Sequence, residues 1–354
     1  MSRVTPSSPG GGQADPRPAT NAAAGAGPRS WRVHRLGPPR DALRLEPVPA
    51  RAPGPGEARV EIGAVGLNFP DLLLCAGRYQ ERPPLPFSPG YEAAGIVAEA
   101  GEGAEVAPGQ HVVVVPELPD GALQESVTVP DTQLYPVPES MPVTAAAALH
   151  IAYQTAHVAL HHRAGLQAGE TLLVTGAAGG VGSAAVQLGV AAGATVIAAV
   201  TGPAKTQAAR RMGASLVVDL ADEPDPVARV RAATGGHGAG VILDVVGGDT
   251  FGWARRCVAF EGRVVLVGFT GGTIGQVPAN HVLLRNYSVL GLHLAAYRRE
   301  NPALLRGVHA ALVRMFASGQ ISPLIYRELP FGQAPAALEL LSGREVIGRV
   351  VLRC

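Results

Sequence analysis

Apolar and polar positions alternate through the first third of the chain and gather into apolar runs further on. Arg59–Val65 alternates, Gly95–Ala100 and the β-branched His111–Val115 are short apolar runs, and Ser126–Val129 closes the series. Turn signals at Pro53-Gly54-Pro55-Gly56, Pro89-Gly90 and Pro108-Gly109 separate them, which predicts an irregular β-barrel or sandwich. Near Thr144 the period changes, and Ala145–His162 reads as one long helix. Strand-like and helical segments then take turns. Thr171–Thr175, Thr195–Val200, Ser215–Val218, Val241–Val245 and Val264–Val267 read as strands, with Val181–Ala192, Lys205–Met212 and Pro226–Ala233 as helices between them. That rhythm predicts an α/β fold with a doubly wound parallel sheet. From about Val289 the pattern is mixed, with helices over Pro302–Ser318 and Ala334–Leu341 and a last strand at Arg349–Leu352.

The chain has 354 residues, enough for two domains, and 47% hydrophobic against 16% charged residues supplies a core to each. Its formal charge is only +1, which excludes the broad basic field that sequence-independent nucleic-acid binding requires. Two charge-free stretches, Met141–His162 and Thr171–Ala204, are rich in Ala and broken by Pro or Gly, so buried structure is expected there and no membrane span. Residues 1–30 are mostly Pro, Gly, Ala and Ser. They cannot bury enough surface to offset their ordering entropy and are expected to form a disordered tail. No apolar stretch of signal-peptide type follows Met1, and Cys75, Cys257 and Cys354 make no disulfide framework, so a reducing cytoplasm is the expected compartment.

The most specific motif is Gly176-Ala177-Ala178-Gly179-Gly180-Val181-Gly182, which follows a strand and opens a helix. In that context Gly179 lets the backbone approach a pyrophosphate and Gly182 lets helix and strand pack closely, while the helix N-terminus offers N–H donors. An NAD site usually carries an acid after the next strand to hold the ribose 2′-hydroxyl. Here Thr201-Gly202-Pro203-Ala204-Lys205 has none, and Lys205 is the one lysine among 29 basic residues. A hydroxyl and a cation suit a 2′-phosphate, so NADPH is the expected cofactor.

Gly66-Leu67-Asn68-Phe69-Pro70-Asp71, Pro86-Phe87-Ser88-Pro89-Gly90-Tyr91-Glu92, the Gly176–Gly182 loop and the Asp244–Gly247 strand end together resemble the medium-chain dehydrogenase/reductases, over about residues 31–354. Within them the similarity is to the zinc-free quinone oxidoreductase, or ζ-crystallin-like, branch. The resemblance implies a GroES-like β-barrel catalytic domain over 31–142, interrupted by a Rossmann nucleotide-binding domain over 143–288 and completed by residues 289–354, in a homodimer. It further implies that Asn68 and Tyr79 carry the chemistry, and that Thr155, Gly179, Gly180, Val181, Gly182, Thr201, Lys205, Val246, Gly268 and Phe269 bind the cofactor. Asn68 then hydrogen-bonds nicotinamide or substrate, with a local cap as the alternative. Tyr79 resembles the proton-donating tyrosine of mitochondrial-type enoyl-thioester reductases, with a pocket-lining role as the alternative. Thr155 lies near the nicotinamide ribose or packs within its helix. Relatives often have Asn-Tyr where this chain has Asp219-Leu220, a tyrosine that helps hold the 2′-phosphate end; Arg349 is a candidate to take its place.

Zinc-dependent relatives place a Cys and a His ligand where this chain has Asn68 and Tyr91, which are poor zinc ligands, and three scattered cysteines cannot build a four-cysteine site. His157, His161 and His162 lack the glutamate base and third ligand of a metal motif and are expected to interact favourably with the helix C-terminus. No metal is expected. The reaction expected without a Lewis acid is hydride transfer from NADPH to a small acceptor that is already electrophilic, a quinone or conjugated enone. Two alternatives stay open: an enoyl-CoA reductase with Tyr79 as proton donor, and a non-catalytic NADPH-binding structural protein.

Overall fold

A computed structural model describes residues 27–343 and 345–354. The tail expected over 1–30 falls mainly on residues 1–26, outside the described residues. Arg29 and Ser30, counted with it, begin the strand Arg29–Val33, which pairs antiparallel with Leu43–Pro47.

Six parallel strands form one sheet, in the spatial order Leu216–Asp219, Thr195–Val200, Thr171–Val174, Ala239–Asp244, Val258–Leu266, Ser288–Gly291. Successive side chains point to opposite faces. Leu172, Val174, Val196, Ala198, Val241 and Leu243 share one core with the helices Val143–His157, Gly180–Ala191 and Pro302–Ala317. Leu173, Ile197, Ala199, Val218, Ile242 and Val264 share another with Pro226–Ala233 and Gly248–Ala254. Burial on both faces is why these strands read as unbroken apolar runs.

A mixed sheet runs Ile325–Pro330, Arg349–Arg353, Glu57–Leu67, Ala93–Ala100, His111–Val114, Leu134–Pro136, with Ser126–Pro130 also pairing to Glu57–Leu67. Val60, Leu67, Phe87, Val112, Leu123, Phe331 and Leu352 fill its core. The chain returns to this sheet later than the expected boundary at 289. Ser288–Gly291 is the sixth strand of the parallel sheet, and Leu292, Leu305, Val308 and Leu312 join that sheet's core, so the return comes at Ile325. A four-residue edge strand bounded by Ser and Gly carries too little pattern to be read from sequence.

Two details position the site. The long helix is α-helical to His157, and its last turn, Val158–Arg163, is π-helical. The final strand starts on the glycine loop: the Gly348 N–H donates to the Ala178 carbonyl at 2.7 Å, so the two sheets meet there. Among the described residues no helix is long and apolar enough to cross a membrane.

Candidate active site

The loops expected to bind the cofactor leave the carboxyl ends of four neighbouring parallel strands. Gly179–Gly182 follow Thr171–Val174, Thr201–Lys205 follow Thr195–Val200, Val246 follows Ala239–Asp244, and Gly268 and Phe269 follow Val258–Leu266. That edge is where open α/β sheets bind ligands. Close packing fixes the glycine loop. A Cβ on Gly182 would stand 2.1 Å from the Gly176 oxygen, and one on Gly176 would stand 2.9 Å from Val245 and 3.0 Å from Val246. Gly180 heads the helix Gly180–Ala191, whose first N–H groups have no partner within the helix, and Val181 packs half-buried on the core.

Buried Asp244 shapes the neighbouring strand end by accepting the Thr175 hydroxyl at 2.6 Å and the Gly247 N–H at 3.0 Å, while burial raises its carboxyl above the ordinary range. Asp219, the acid of the wrong sign for a 2′-phosphate, turns inward. It accepts the Gly202 N–H at 2.7 Å and the Thr206 hydroxyl at 2.9 Å, and the Gly202 N–H foremost holds its carboxyl below the usual range. It therefore braces the turn that presents exposed Thr201 and half-buried Lys205.

On the barrel side the hub is Glu92, which is fully buried. One carboxylate oxygen accepts the Asn68 amide N–H at 3.0 Å and the Arg349 guanidinium; the other accepts the Ile151 N–H at 2.7 Å. Burial raises this carboxyl above its ordinary range against the pull of Arg349. Arg349 also donates to the Asn68 side-chain oxygen at 2.7 Å, and Asn68 donates its second amide hydrogen to the Gly66 carbonyl at 3.2 Å. The donors on each side fix which way the Asn68 amide faces. Asn68 thus occupies the helix N-cap position of Phe69–Cys75, but the backbone N–H there is satisfied by Asp71, at 2.7 Å. The second Asp71 oxygen accepts the Gly90 N–H at 3.1 Å, and burial pushes this carboxyl up to about 7.

Arg349 links the two halves of the site. A Cβ on Gly180 would lie 3.0 Å from its Cδ, and its buried Nε has no partner among the described residues. It was legible in the sequence only as an open question. Its two partners Asn68 and Glu92 explain why an arginine is needed there: the planar fork bonds an amide oxygen and a carboxylate at once.

Tyr91 donates to Glu81 at 3.1 Å, and Tyr79 packs edge-on against it with ring centroids 6.1 Å apart. The Tyr79 hydroxyl has no hydrogen-bond partner among the described residues, and burial, with Glu81 nearby, pushes it up to about 12. Thr155 hydrogen-bonds the Ile151 carbonyl at 2.6 Å, one turn beyond the residue that anchors Glu92. The histidines differ from expectation. His157 and His161 pack with ring centroids 4.5 Å apart and planes tilted by 57°, and burial pushes His157 down to about 4, so it is no cation for the helix end. Among the described residues no three His, Cys, Asp or Glu side chains form a metal-ligand group. A groove of about 490 Å³ on the barrel, lined by Ile62, Ala94, Ile96 and Met141, shares no residue with this site.

Residues 54–139 match the family described as alcohol dehydrogenase GroES-like domain, and residues 180–309 match the one described as zinc-binding dehydrogenase. Quinone oxidoreductase-like protein 2 of Bos taurus is 39% identical over 327 residues, 92% of this chain and 93% of its own. The Escherichia coli quinone oxidoreductase complexed with NADPH superposes with a TM-score of 0.85 at 29% identity, over 92% of this chain and 100% of its own. The CurK enoyl reductase superposes with a TM-score of 0.82 at 26% identity, over 92% of this chain and 99% of its own.

Proposed function

The chain belongs to the medium-chain dehydrogenase/reductase superfamily, in its quinone oxidoreductase-like branch, and on that premise we propose that it is a zinc-independent, NADPH-dependent reductase of quinones or conjugated enones. The observation that carries this reading is a glycine loop joined, through Arg349, to the buried cluster of Asn68 and Glu92, and Asn68 and the adjacent Tyr91 are not metal-ligand residue types.

The residues fit a dinucleotide. The unpartnered Arg349 Nε and the first N–H groups of Gly180–Ala191 suit its pyrophosphate, Thr201 and Lys205 its 2′-phosphate, and Val246, Gly268, Phe269 and Thr155 its nicotinamide half. When bound, NADPH supplies the hydride. The chain's part is alignment and exclusion of water. Glu92 and Arg349 hold Asn68 in one orientation, and Tyr79 stays protonated at neutral pH, ready to hydrogen-bond the acceptor. The catalytic domain is assigned to residues 31–142 with the C-terminal return, and the nucleotide domain to the segment between.

Enoyl-thioester reduction is the second reading, favoured by the unpartnered Tyr79 hydroxyl, since a proton donor to the α-carbon must be free to reach it. NADPH oxidation by 1,4-naphthoquinone and by crotonyl-CoA, in the wild type and in Tyr79→Phe, separates the two. Quinone turnover that changes about twofold or less in the variant is expected, because no carbon needs a proton from the enzyme. Faster crotonyl-CoA turnover that drops about 100-fold without the hydroxyl would instead make it a thioester reductase.

A homodimer built on the free edge of the parallel sheet is part of the same proposal. Ser288–Gly291 pairs on one side only among the described residues, and Leu283 and Leu284 nearby are 75% and 76% exposed. Sedimentation velocity distinguishes it from a 36.2 kDa monomer.

A further inference from the structure

His150, on the helix Val143–His157, and His309, on Pro302–Ala317, are 1% and 5% exposed and face each other Nδ1 to Nδ1 at 3.1 Å. One neighbour decides where their protons sit. The His309 Nε2 lies 2.8 Å from the Pro136 carbonyl, which can only accept, so Nε2 carries the hydrogen and a neutral His309 has a bare Nδ1. The His150 Nδ1–H therefore donates across the pair. A proton gained at the His309 Nδ1 would set two N–H groups against each other, so the contact exists only while that ring is neutral.

The surroundings favour the neutral pair. Burial lowers both rings, His150 well below the ordinary histidine range, and the charges acting on them, His309 itself and Arg298 on His150 and Arg306 on His309, are all positive. Tyr135 packs its ring centroid 4.2 Å from His150 and 5.2 Å from His309, and burial raises its hydroxyl, so it supplies no anion.

Three parts of the fold meet here. Pro136 ends the strand Leu134–Pro136 of the mixed sheet, while both helices pack on the parallel sheet. Arg306 donates to the Thr132 carbonyl at 2.9 Å and lies 5.4 Å over the Tyr135 ring, and Gln154 donates to the Leu305 carbonyl at 3.0 Å. The residue after His150 is Ile151, whose N–H holds one oxygen of Glu92, and the other oxygen of Glu92 holds Asn68. A shift of the helix at His150 thus reaches Asn68 through two hydrogen bonds.

We propose that His150 and His309 are positioning residues for the reaction: their neutral pair seats the Ile151 N–H on Glu92, and protonation of the pair in acid frees Asn68 from its working orientation, a role that rests on the reductase reading above and deepens it. Release takes up protons, so acid drives it. Each pH unit below about 6.5, the ordinary histidine value, favours release about tenfold per ring protonated.

The test compares the wild type with His150→Leu, which removes the contact, and His150→Asn, whose amide offers an N–H to a neutral His309 and its oxygen to a charged one. Initial rates with NADPH and 1,4-naphthoquinone are read from pH 8 to pH 5, with circular dichroism following the fold. At pH 7.5, His150→Leu is expected to lose about tenfold in kcat with KM for NADPH changed about twofold or less, and His150→Asn to recover most of that loss. Between pH 7.5 and pH 5 the wild type should lose about tenfold more activity than His150→Asn. Asp71 and Glu92 add pH dependence to both proteins, so the difference between them is the readout, whether or not His150→Leu folds. Equal acid loss in the two would overturn the proposal, as would an unchanged kcat in folded His150→Leu or an acid loss that coincides with unfolding.

Hydrogen exchange over 143–157, corrected for the intrinsic effect of pH, gives a readout free of turnover. Faster exchange at pH 5 than at pH 7.5 in the wild type, and not in His150→Asn, supports the proposal even if no quinone is reduced, an outcome that would sink the reductase reading by itself. The same pH dependence in both proteins contradicts it.

Discussion

Arg349→Met is expected to destabilise the protein by about 3–5 kcal/mol, the range found when one partner of a buried ion pair is removed. Glu92 is fully buried and Arg349 is 6% exposed, so water cannot replace the lost guanidinium. The Asn68 amide and the Ile151 N–H would remain on the Glu92 carboxylate, but neither carries charge. Asn68 would also lose the donor on its oxygen, and with it the restraint on its orientation.

The deficit should depend on pH in a definite direction. Burial already raises the Glu92 carboxyl in the folded state, and loss of Arg349 raises it further. A carboxyl whose folded pKa exceeds its unfolded value binds more protons when folded, so its contribution to stability declines as pH rises between the two values. The variant should therefore lie nearest the wild type in mild acid and fall behind it as pH rises out of the ordinary carboxylate range. Asp71, pushed up to about 7 by burial, is also held down by the Arg349 charge, so loss of Arg349 raises it further and adds to the difference in the same direction. Urea unfolding of both proteins at pH 5 and pH 8 checks this. A gap that is equal at the two values, or narrower at pH 8, contradicts the assignment of Arg349 as the counter-charge of Glu92.

Gly182→Ala is the second change with a large expected effect. The added Cβ would meet the Gly176 oxygen at 2.1 Å and the Ala177 Cα at 2.8 Å. Both are backbone atoms of the loop itself, so no rotamer change relieves the clash, and the helix must lift away from the strand end. NADPH affinity is expected to fall more than about 100-fold. Gly179→Ala is the matched control. Its Cβ meets only the Gly176 oxygen, at 3.4 Å, and its extended backbone suits alanine, so the free protein should melt as the wild type does. NADPH titration and thermal melts of both variants test this; wild-type NADPH binding by Gly182→Ala would show that the loop does not hold the dinucleotide.

The glycine loop was legible because its chemistry is local: the strand, the close approach and the helix start occupy consecutive residues. The parallel sheet was legible because burial on both faces leaves apolar runs. Asn68 could be singled out, but not its surroundings. Its partners Glu92 and Arg349 lie 24 and 281 residues away, and in a chain whose cations are nearly all arginine nothing marks Arg349 among the others. The histidine pair failed for the opposite reason. Helical spacing placed His157 and His161 together, yet their titration depends on a burial that spacing does not report.

The central claim is that this chain transfers hydride from NADPH at an organised site that needs no metal. Its most direct test is the initial rate of NADPH and NADH oxidation by chelator-treated enzyme with 1,4-naphthoquinone. The account predicts that turnover survives chelation and that kcat/KM favours NADPH by about tenfold or more, as the proposed role of Lys205 toward the 2′-phosphate requires. Loss of turnover on chelation, restored by zinc, or a preference for NADH would contradict it.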